Sequence, residues 1–226
     1  MRELGPQDRA DTADGWHPAE AVPPVPVRPA ASVIVLREGA DGPEVFLQHR
    51  VSTMDFAAGV AVFPGGRVDQ ADLGPEVPAG VPGDLLARHA QAWRHTDEAG
   101  TVDGARMILA AALREVAEET GAALDPLRLM PWANWITPPG RTRRYDTYFF
   151  LTAADAALTL EHRTSEAHRS VWTPVRQALE DEERGQVKLM RPTLTLLREL
   201  AALGSAENIL ARAATERRIE PVRHDR

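Results

Sequence analysis

The chain concentrates its reactive side chains in one run, Arg114-Glu115-Val116-Ala117-Glu118-Glu119-Thr120-Gly121. On a helix of 3.6 residues per turn with Glu115 set at zero, Glu119 falls at about 40° and Glu118 at about 300°. The three carboxylates then share one face. Arg114, at about 260°, stands beside Glu118 at the i, i+4 spacing that brings side chains together. Like charges at that spacing destabilise a helix, so the face calls for a compensating cation. Oxygen ligands grouped in this way suit Mg²⁺ or Mn²⁺, hard ions that prefer carboxylates and water. Taken alone, the run also reads as a solvated acidic face carrying one ion pair, the commoner use of such residues on surface helices.

A second piece is Ala58-Gly59-Val60-Ala61-Val62-Phe63-Pro64-Gly65-Gly66. A short apolar strand runs into a turn where proline fixes φ and glycine allows backbone that other residues avoid. Such a turn can bring carbonyls and amides close to a ligand, or can simply be a tight turn.

Composition narrows the chemistry. The chain has 226 residues, 43% of them hydrophobic, which suffices for one large domain with a real core. A net charge of −7 argues against a nucleic-acid surface; an anionic small substrate would need a metal or local arginines. With no cysteine, disulfides, thiolate metal sites and cysteine nucleophiles are excluded. The apolar run Ala30–Leu36 is too short to span a bilayer, so no membrane partner and a cytoplasmic location are expected. The scattered histidines show no ligand spacing.

The elements that must position these residues follow from pattern. Residues 1–29, with Pro18, Pro23, Pro24, Pro26 and Pro29, read as a flexible arm. Ser32–Arg37 and Glu44–Arg50 read as strands joined by a hairpin loop at Gly39–Pro43. Residues 74–83 are a loop by composition, and Asp84 caps a short expected helix carrying Leu85, Leu86, His89 and Trp93. A longer helix is expected from Ala105 to Thr120 with Gly121 as its stop; Leu109, Leu113 and Val116 lie opposite the acids and point inward. Strands are expected at Leu127–Ile136 and Arg144–Thr152, and helices at Thr173–Glu182, Pro192–Leu203 and Ala206–Arg218.

Phe63-Pro64-Gly65-Gly66 together with Arg114–Gly121 resembles the Nudix hydrolases, whose signature reads Gly-x5-Glu-x7-Arg-Glu-apolar-x-Glu-Glu-x-Gly-apolar. The second half matches closely, with Ala122 small at the final apolar position. The first half is split: Gly66 and Arg114 lie 48 positions apart, which implies an insert of about 34 residues. Arg106 stands where the early glutamate would fall, and Asp72, six after Gly66, is separated from the helix by the insert. A split box of this kind looks like the branch that includes the peroxisomal coenzyme A diphosphatases of the nineteenth Nudix type. Trp135-Ile136-Thr137-Pro138-Pro139, Arg143–Phe150, Glu166 ahead of Trp172-Thr173-Pro174, and Met190-Arg191-Pro192-Thr193 are similar to segments of that branch.

The resemblance implies an α/β fold, a Nudix-type α/β/α sandwich with a mixed sheet. It divides the chain into an arm (1–29), a hydrolase domain (30–204, with the insert at about 67–104) and a helical tail (205–226). It implies a metal-dependent hydrolase that cleaves a diphosphate linkage in a small-molecule substrate. Glu115, Glu118, Glu119 and the Gly66 carbonyl would ligate Mg²⁺ or Mn²⁺, and Arg114 would hold a glutamate in place. Glu115 is one candidate base; Glu166, with Glu161 behind it, is the candidate from a later loop. Arg67, Arg50 and Arg144 are candidates for phosphate, and Trp135 for stacking. Coenzyme A or an acyl-CoA is the leading substrate, since Gly59–Gly66 matches the Gly-x-x-x-Phe-Pro-Gly-Gly ending seen in CoA-cleaving relatives; Asp55 stands where that pattern has arginine. Pro138, sixteen residues past Ala122, is a feature of ADP-ribose-type enzymes, which makes ADP-ribose or another nucleoside diphosphate derivative the alternative. A Nudix-fold binding module with weak catalysis is the third reading. The insert is expected to form a lid or a homodimer contact, because Trp93 needs cover.

Overall fold

The computed structural model describes residues 24–51, 60–74, 80–155, 157–215 and 217–223. Most of the expected arm, the positions Gly59 and Asp55, and the last three residues lie outside these.

One sheet organises the fold. β1 (Val27–Gly39) and β2 (Gly42–Arg50) form the expected hairpin, with Gly42 at φ 102 in its turn. β1 runs parallel to β6 (Arg144–Ala153), which pairs antiparallel with β5 (Met130–Ile136), so the sheet is mixed. β2 is flanked along its length by β7 (Ala167–Pro174). A strand has only two edges. Because β6 fills one edge of β1 and β7 one edge of β2, their other edges must be shared. β1 and β2 pair with each other only over Leu36–Gly39 and Gly42–Val45 and then part. Into the fork go β3 (Val60–Val62), paired with β2, and β4 (Gly65–Arg67), paired with β1. The Phe63-Pro64 step crosses between them, fixed by Val33 N donating to the Pro64 carbonyl at 2.9 Å and by Ser32 Oγ at 3.1 Å. The glycine turn therefore sits at a split in the sheet.

Alternation along β1 sends Ala31, Val33 and Val35 to one face and Ile34 and Leu36 to the other, and both faces are covered. On the first face lie α1 (Gly83–Ala92) and α2 (Val102–Thr120); on the second lie α3 (Val175–Glu183), α4 (Arg191–Leu203) and α5 (Ala206–Ala214). This is the three-layer α/β arrangement that the resemblance implies. The remaining strands are β8 (Lys188–Leu189) beside β3 and β9 (Pro221–Arg223) beside β5.

Three expected elements end elsewhere, for local reasons. Thr173 and Pro174 belong to β7 and not to α3, because Pro174 stands at the N-cap with non-helical backbone. The expected helix Ala206–Arg218 stops at Ala214. Arg217 turns back over the Trp132 ring at 3.9 Å, and the chain goes on to add β9 to the sheet edge. α1 is capped by Pro82 and not by Asp84, which lies in its first turn.

Trp93 gives the insert no reason to act as a lid or a subunit contact. Trp93 has no exposed surface; it packs edge-on against Phe150 at 4.9 Å and Tyr148 at 5.3 Å, within the same cluster as α2. The cover it requires comes from its own chain. The Tyr148 hydroxyl also accepts from the backbone of Glu98 and Ala99, and Ile219 N donates to the Ala92 carbonyl, so insert and C-terminal segment are stitched to the sheet. Trp93→Ala is therefore expected to lower unfolding free energy by about 3–5 kcal/mol in urea titrations, the range for emptying a buried aromatic site. A change in KM with unchanged stability would restore the lid.

Candidate active site

α2 begins at Thr101, whose side chain accepts from Gly104 N, and ends at Gly121 in the left-handed conformation (φ 72), so its length is set by capping at both ends. Ile108, Leu109, Ala112 and Val116 bury the inward stripe, and the acidic face is turned to the fork in the sheet.

Two glycines let helix and turn touch. A Cβ at Gly66 would meet the Glu115 carboxylate at 2.5 Å, and Gly65, at φ 146, would drive a Cβ into the Ala31 carbonyl. The Gly65 N–H donates to Glu119 Oε2 at 2.9 Å. Gly66→Ala is expected to push Glu115 aside and lower turnover by about 10-fold or more with only a small loss of melting temperature, as for a supporting residue at such a site; wild-type kinetics would show that the close approach has no catalytic role.

The guanidinium of Arg114 is engaged at every nitrogen. Nε and Nη2 donate to the two Asp72 oxygens at 3.0 and 2.7 Å, Nη2 also to the Arg67 carbonyl at 3.1 Å, and Nη1 to Glu115 at 3.0 Å and Glu118 at 3.2 Å. The sequence expectation that the insert cuts Asp72 off is overturned. Asp72 is 5% exposed and closes a bidentate pair with an arginine 42 positions on. The chain leaves for the insert only after Asp72, so Gly66–Asp72 stays beside α2. A 3₁₀ turn at Gln70–Leu73, held by reciprocal bonds between Asp69 and Asp72, fixes the carboxylate. Arg106, at the position where the unsplit signature has its early acid, pairs with Asp103 instead.

Burial sets the protonation of the acids. Glu119 is 6% exposed, and loss of water pushes its pKa up to about 7, against the Gly65 N–H that favours its charged form. Glu115 is also raised, first by burial, with Arg114 opposing. Arg114 is held more strongly protonated than usual, chiefly by Asp72. Glu118 is exposed. Nearby, Arg50 pairs with Glu166 at 2.9 Å, so two candidates far apart in sequence meet at the end of β2.

Other candidates are placed elsewhere. Trp135 lies with Trp132 in the cluster under α4 and α5, on the face opposite the acids; as a strand aromatic it packs, and it offers them no stacking surface. Arg144 spends its guanidinium on the carbonyls of Thr137 and Val25 and lines an open cavity of about 390 Å³ with Pro139 and Arg141, beside the end of β1. Arg67 lends Arg114 its carbonyl, and its side chain is exposed. Glu161 pairs with Arg163. Gln48 went unnoticed in the sequence: it is buried beside Glu119, and its signal was a lone amide in the apolar run Val45-Phe46-Leu47-Gln48.

The donor set fits a divalent cation in its chemistry: hard carboxylate oxygens, two of the three acids buried or half-buried, mutual repulsion between neighbours, and the Gly66 backbone packed against Glu115. In its present geometry, with Glu115 and Glu118 turned to Arg114, no group of three acids or histidines among the described residues stands ready to enclose one.

A forked sheet that delivers a glycine turn to a helical Arg-Glu-x-x-Glu-Glu face defines a phosphoanhydride hydrolase scaffold. Comparison agrees. Residues 82–193 match the family model described as NUDIX domain, so the chain carries a Nudix domain and is a pyrophosphohydrolase of that class. The match starts after the glycine turn and Asp72, which the structure supplies. The crystal structure of a NUDIX hydrolase from Alicyclobacillus acidocaldarius is similar, with TM-score 0.66 and 25% identity over 86% of this chain and 98% of that one. A MutT NUDIX hydrolase from Burkholderia pseudomallei aligns with TM-score 0.48 and 17% identity over 76% of this chain and 97% of that one. No curated protein matches the chain significantly in sequence. No helix among the described residues is long and apolar enough to cross a membrane.

Proposed function

We propose that this protein is a metal-dependent diphosphatase acting on coenzyme A or an acyl-CoA. The observation that carries the reaction class is the meeting of Gly65-Gly66 with Glu115 and Glu119 while Asp72 anchors Arg114. Glu115, Glu118, Glu119 and the Gly66 carbonyl would hold Mg²⁺ or Mn²⁺, which when bound would supply a lowered pKa for water and neutralisation of the diphosphate oxygens. The rest is the work of the chain. Arg114 keeps Glu115 oriented toward the glycine turn. Arg50 and Arg67 take phosphate oxygens, as planar donors suited to them. Glu166, exposed on its loop, accepts the proton of the attacking water at a carboxylate oxygen. CoA is supported by the split box and by the Gly59–Gly66 pattern. ADP-ribose is the second reading, on the position of Pro138.

Product analysis decides between them. CoA, ADP-ribose and NADH are incubated separately with Mg²⁺ and with Mn²⁺. Adenosine 3′,5′-bisphosphate from CoA, with little AMP from ADP-ribose or NADH, is the expected result. AMP from ADP-ribose or NADH in preference to CoA cleavage would transfer the assignment to the second reading. Ligand binding without any product would identify a binding module.

A further inference from the structure

Two buried donor atoms on the side of Glu119, Gln48 Nε2 and Arg50 Nε, complete no hydrogen bond among the described residues. Alternation on β2 places Gln48 and Arg50 on the face of Phe46, which belongs to the α2 cluster, and so on the side of the acids. Gln48 is 1% exposed. Its carboxamide is near enough to Glu119 to favour the charged carboxylate, yet its Nε2 completes no hydrogen bond among the described residues. Arg50 Nε is likewise buried with no partner among them, although Arg50 also acts on Glu119 through its charge. Leaving a buried donor unmet is unfavourable, and groups of this kind are normally satisfied. Two such donors stand two positions apart on one strand, on the side of the acids.

Among the described residues, Arg50 has one ion-pair partner in the free protein. Its Nη2 is held by Glu166, whose side chain is 54% exposed. Glu166 reaches it from a loop tied to the strand end by Val51 N donating to the Glu166 carbonyl at 3.0 Å and shaped by Glu166 N donating to Thr164 Oγ1 at 3.1 Å. An exposed ion pair contributes little and exchanges readily. A phosphoryl group, with more charge and more acceptor oxygens, is the better partner for a guanidinium.

We infer that Gln48 and Arg50 form a two-donor seat for one phosphoryl group of the diphosphate, and that Glu166 is its placeholder, displaced from Arg50 when substrate arrives. The inference rests on the proposed reaction class and adds Gln48 as a substrate-binding residue. It also gives Glu166 a prior role: the same exchange that seats the phosphate frees this carboxylate for proton transfer. No covalent step is involved.

The test is calorimetric binding of imidodiphosphate, a non-hydrolysable diphosphate, in Mg²⁺ to wild type, Gln48→Leu and Glu166→Gln. Gln48→Leu is expected to bind about five- to tenfold more weakly, the scale of one lost hydrogen bond, with a melting temperature equal to or above wild type because an unmet buried amide has gone. Glu166→Gln is expected to bind about threefold tighter or more, since an exposed competing charge has been removed. Unchanged affinity in Gln48→Leu, weaker binding in Glu166→Gln, or no binding to wild type would overturn the seat. Failure of the seat is distinguishable from failure of the reaction class. A wild type that binds imidodiphosphate as described but cleaves no diphosphate keeps the seat and loses the enzyme; one that cleaves CoA with Gln48→Leu unaltered in KM does the reverse.

Discussion

Glu119→Gln is expected to lose at least roughly 10²-fold in turnover, as for removal of a group that holds the ion or its water, and at the same time to stabilise the metal-free fold at pH 8. Both effects come from the same burial. Glu119 ionises at about 7 in the folded protein against the ordinary 4.5. Between those values the native state keeps a proton that the unfolded chain has released. Stability from this group therefore falls as pH rises from about 4.5 to 7 and stays low above that. A shift of this size corresponds to at most about 3 kcal/mol. Glutamine removes the charge and the penalty, so in chelator at pH 8 the variant should melt several degrees higher than wild type, by about 2–4 °C per kcal/mol for a chain of this size. At pH 5 the two should melt together. A Glu119→Gln protein with near-normal rates, or one less stable at pH 8, would remove Glu119 from the site.

The second large effect belongs to a residue outside the helix. Asp72→Ala is expected to lower turnover by about 10- to 100-fold, the range for a residue that orients the groups holding a metal. It should also destabilise the protein by about 1–3 kcal/mol, less than the full cost of breaking a buried pair because Glu115 and Glu118 remain on Arg114. The mechanism is specific. Without Asp72, Arg114 has only those two acids to answer, and it draws both away from the glycine turn. Asp72→Glu should recover part of the rate, since it restores a carboxylate to the guanidinium. Matched stability losses with no change in rate for Asp72→Ala would mean that the pair serves the fold alone.

Asp72 also shows where sequence reading stops. The Arg114–Gly121 face was legible because its chemistry is local: helix period, capping glycine and clustered charge all lie within eight residues. Whether a residue before a long insert returns to that helix depends on the path of the insert, and no local pattern carries that path. Trp93 was misread for a related reason. A lone aromatic on a short helix calls for cover, but the sequence does not say that the cover is Tyr148 and Phe150 of a strand about fifty residues on. The long strands β1, β2, β5 and β6 announce themselves through buried apolar residues. β7 does not, because it lies at the outer side of β2 and most of its residues are half exposed, and β9 is three residues long and rests on the edge of β5. The meeting of Arg50 with Glu166 was hidden for the same reason: it is made by β7 docking on β2.

The measurement that tests the central claim most directly is the rate of diphosphate cleavage in CoA and ADP-ribose as metal is removed and returned. The account predicts no cleavage of either in chelator, and recovery on adding Mg²⁺ or Mn²⁺ in excess, with one substrate preferred and with recovery absent in Glu119→Gln. Cleavage that persists in chelator at the wild-type rate, or no cleavage of any nucleoside diphosphate derivative with either metal, would contradict it.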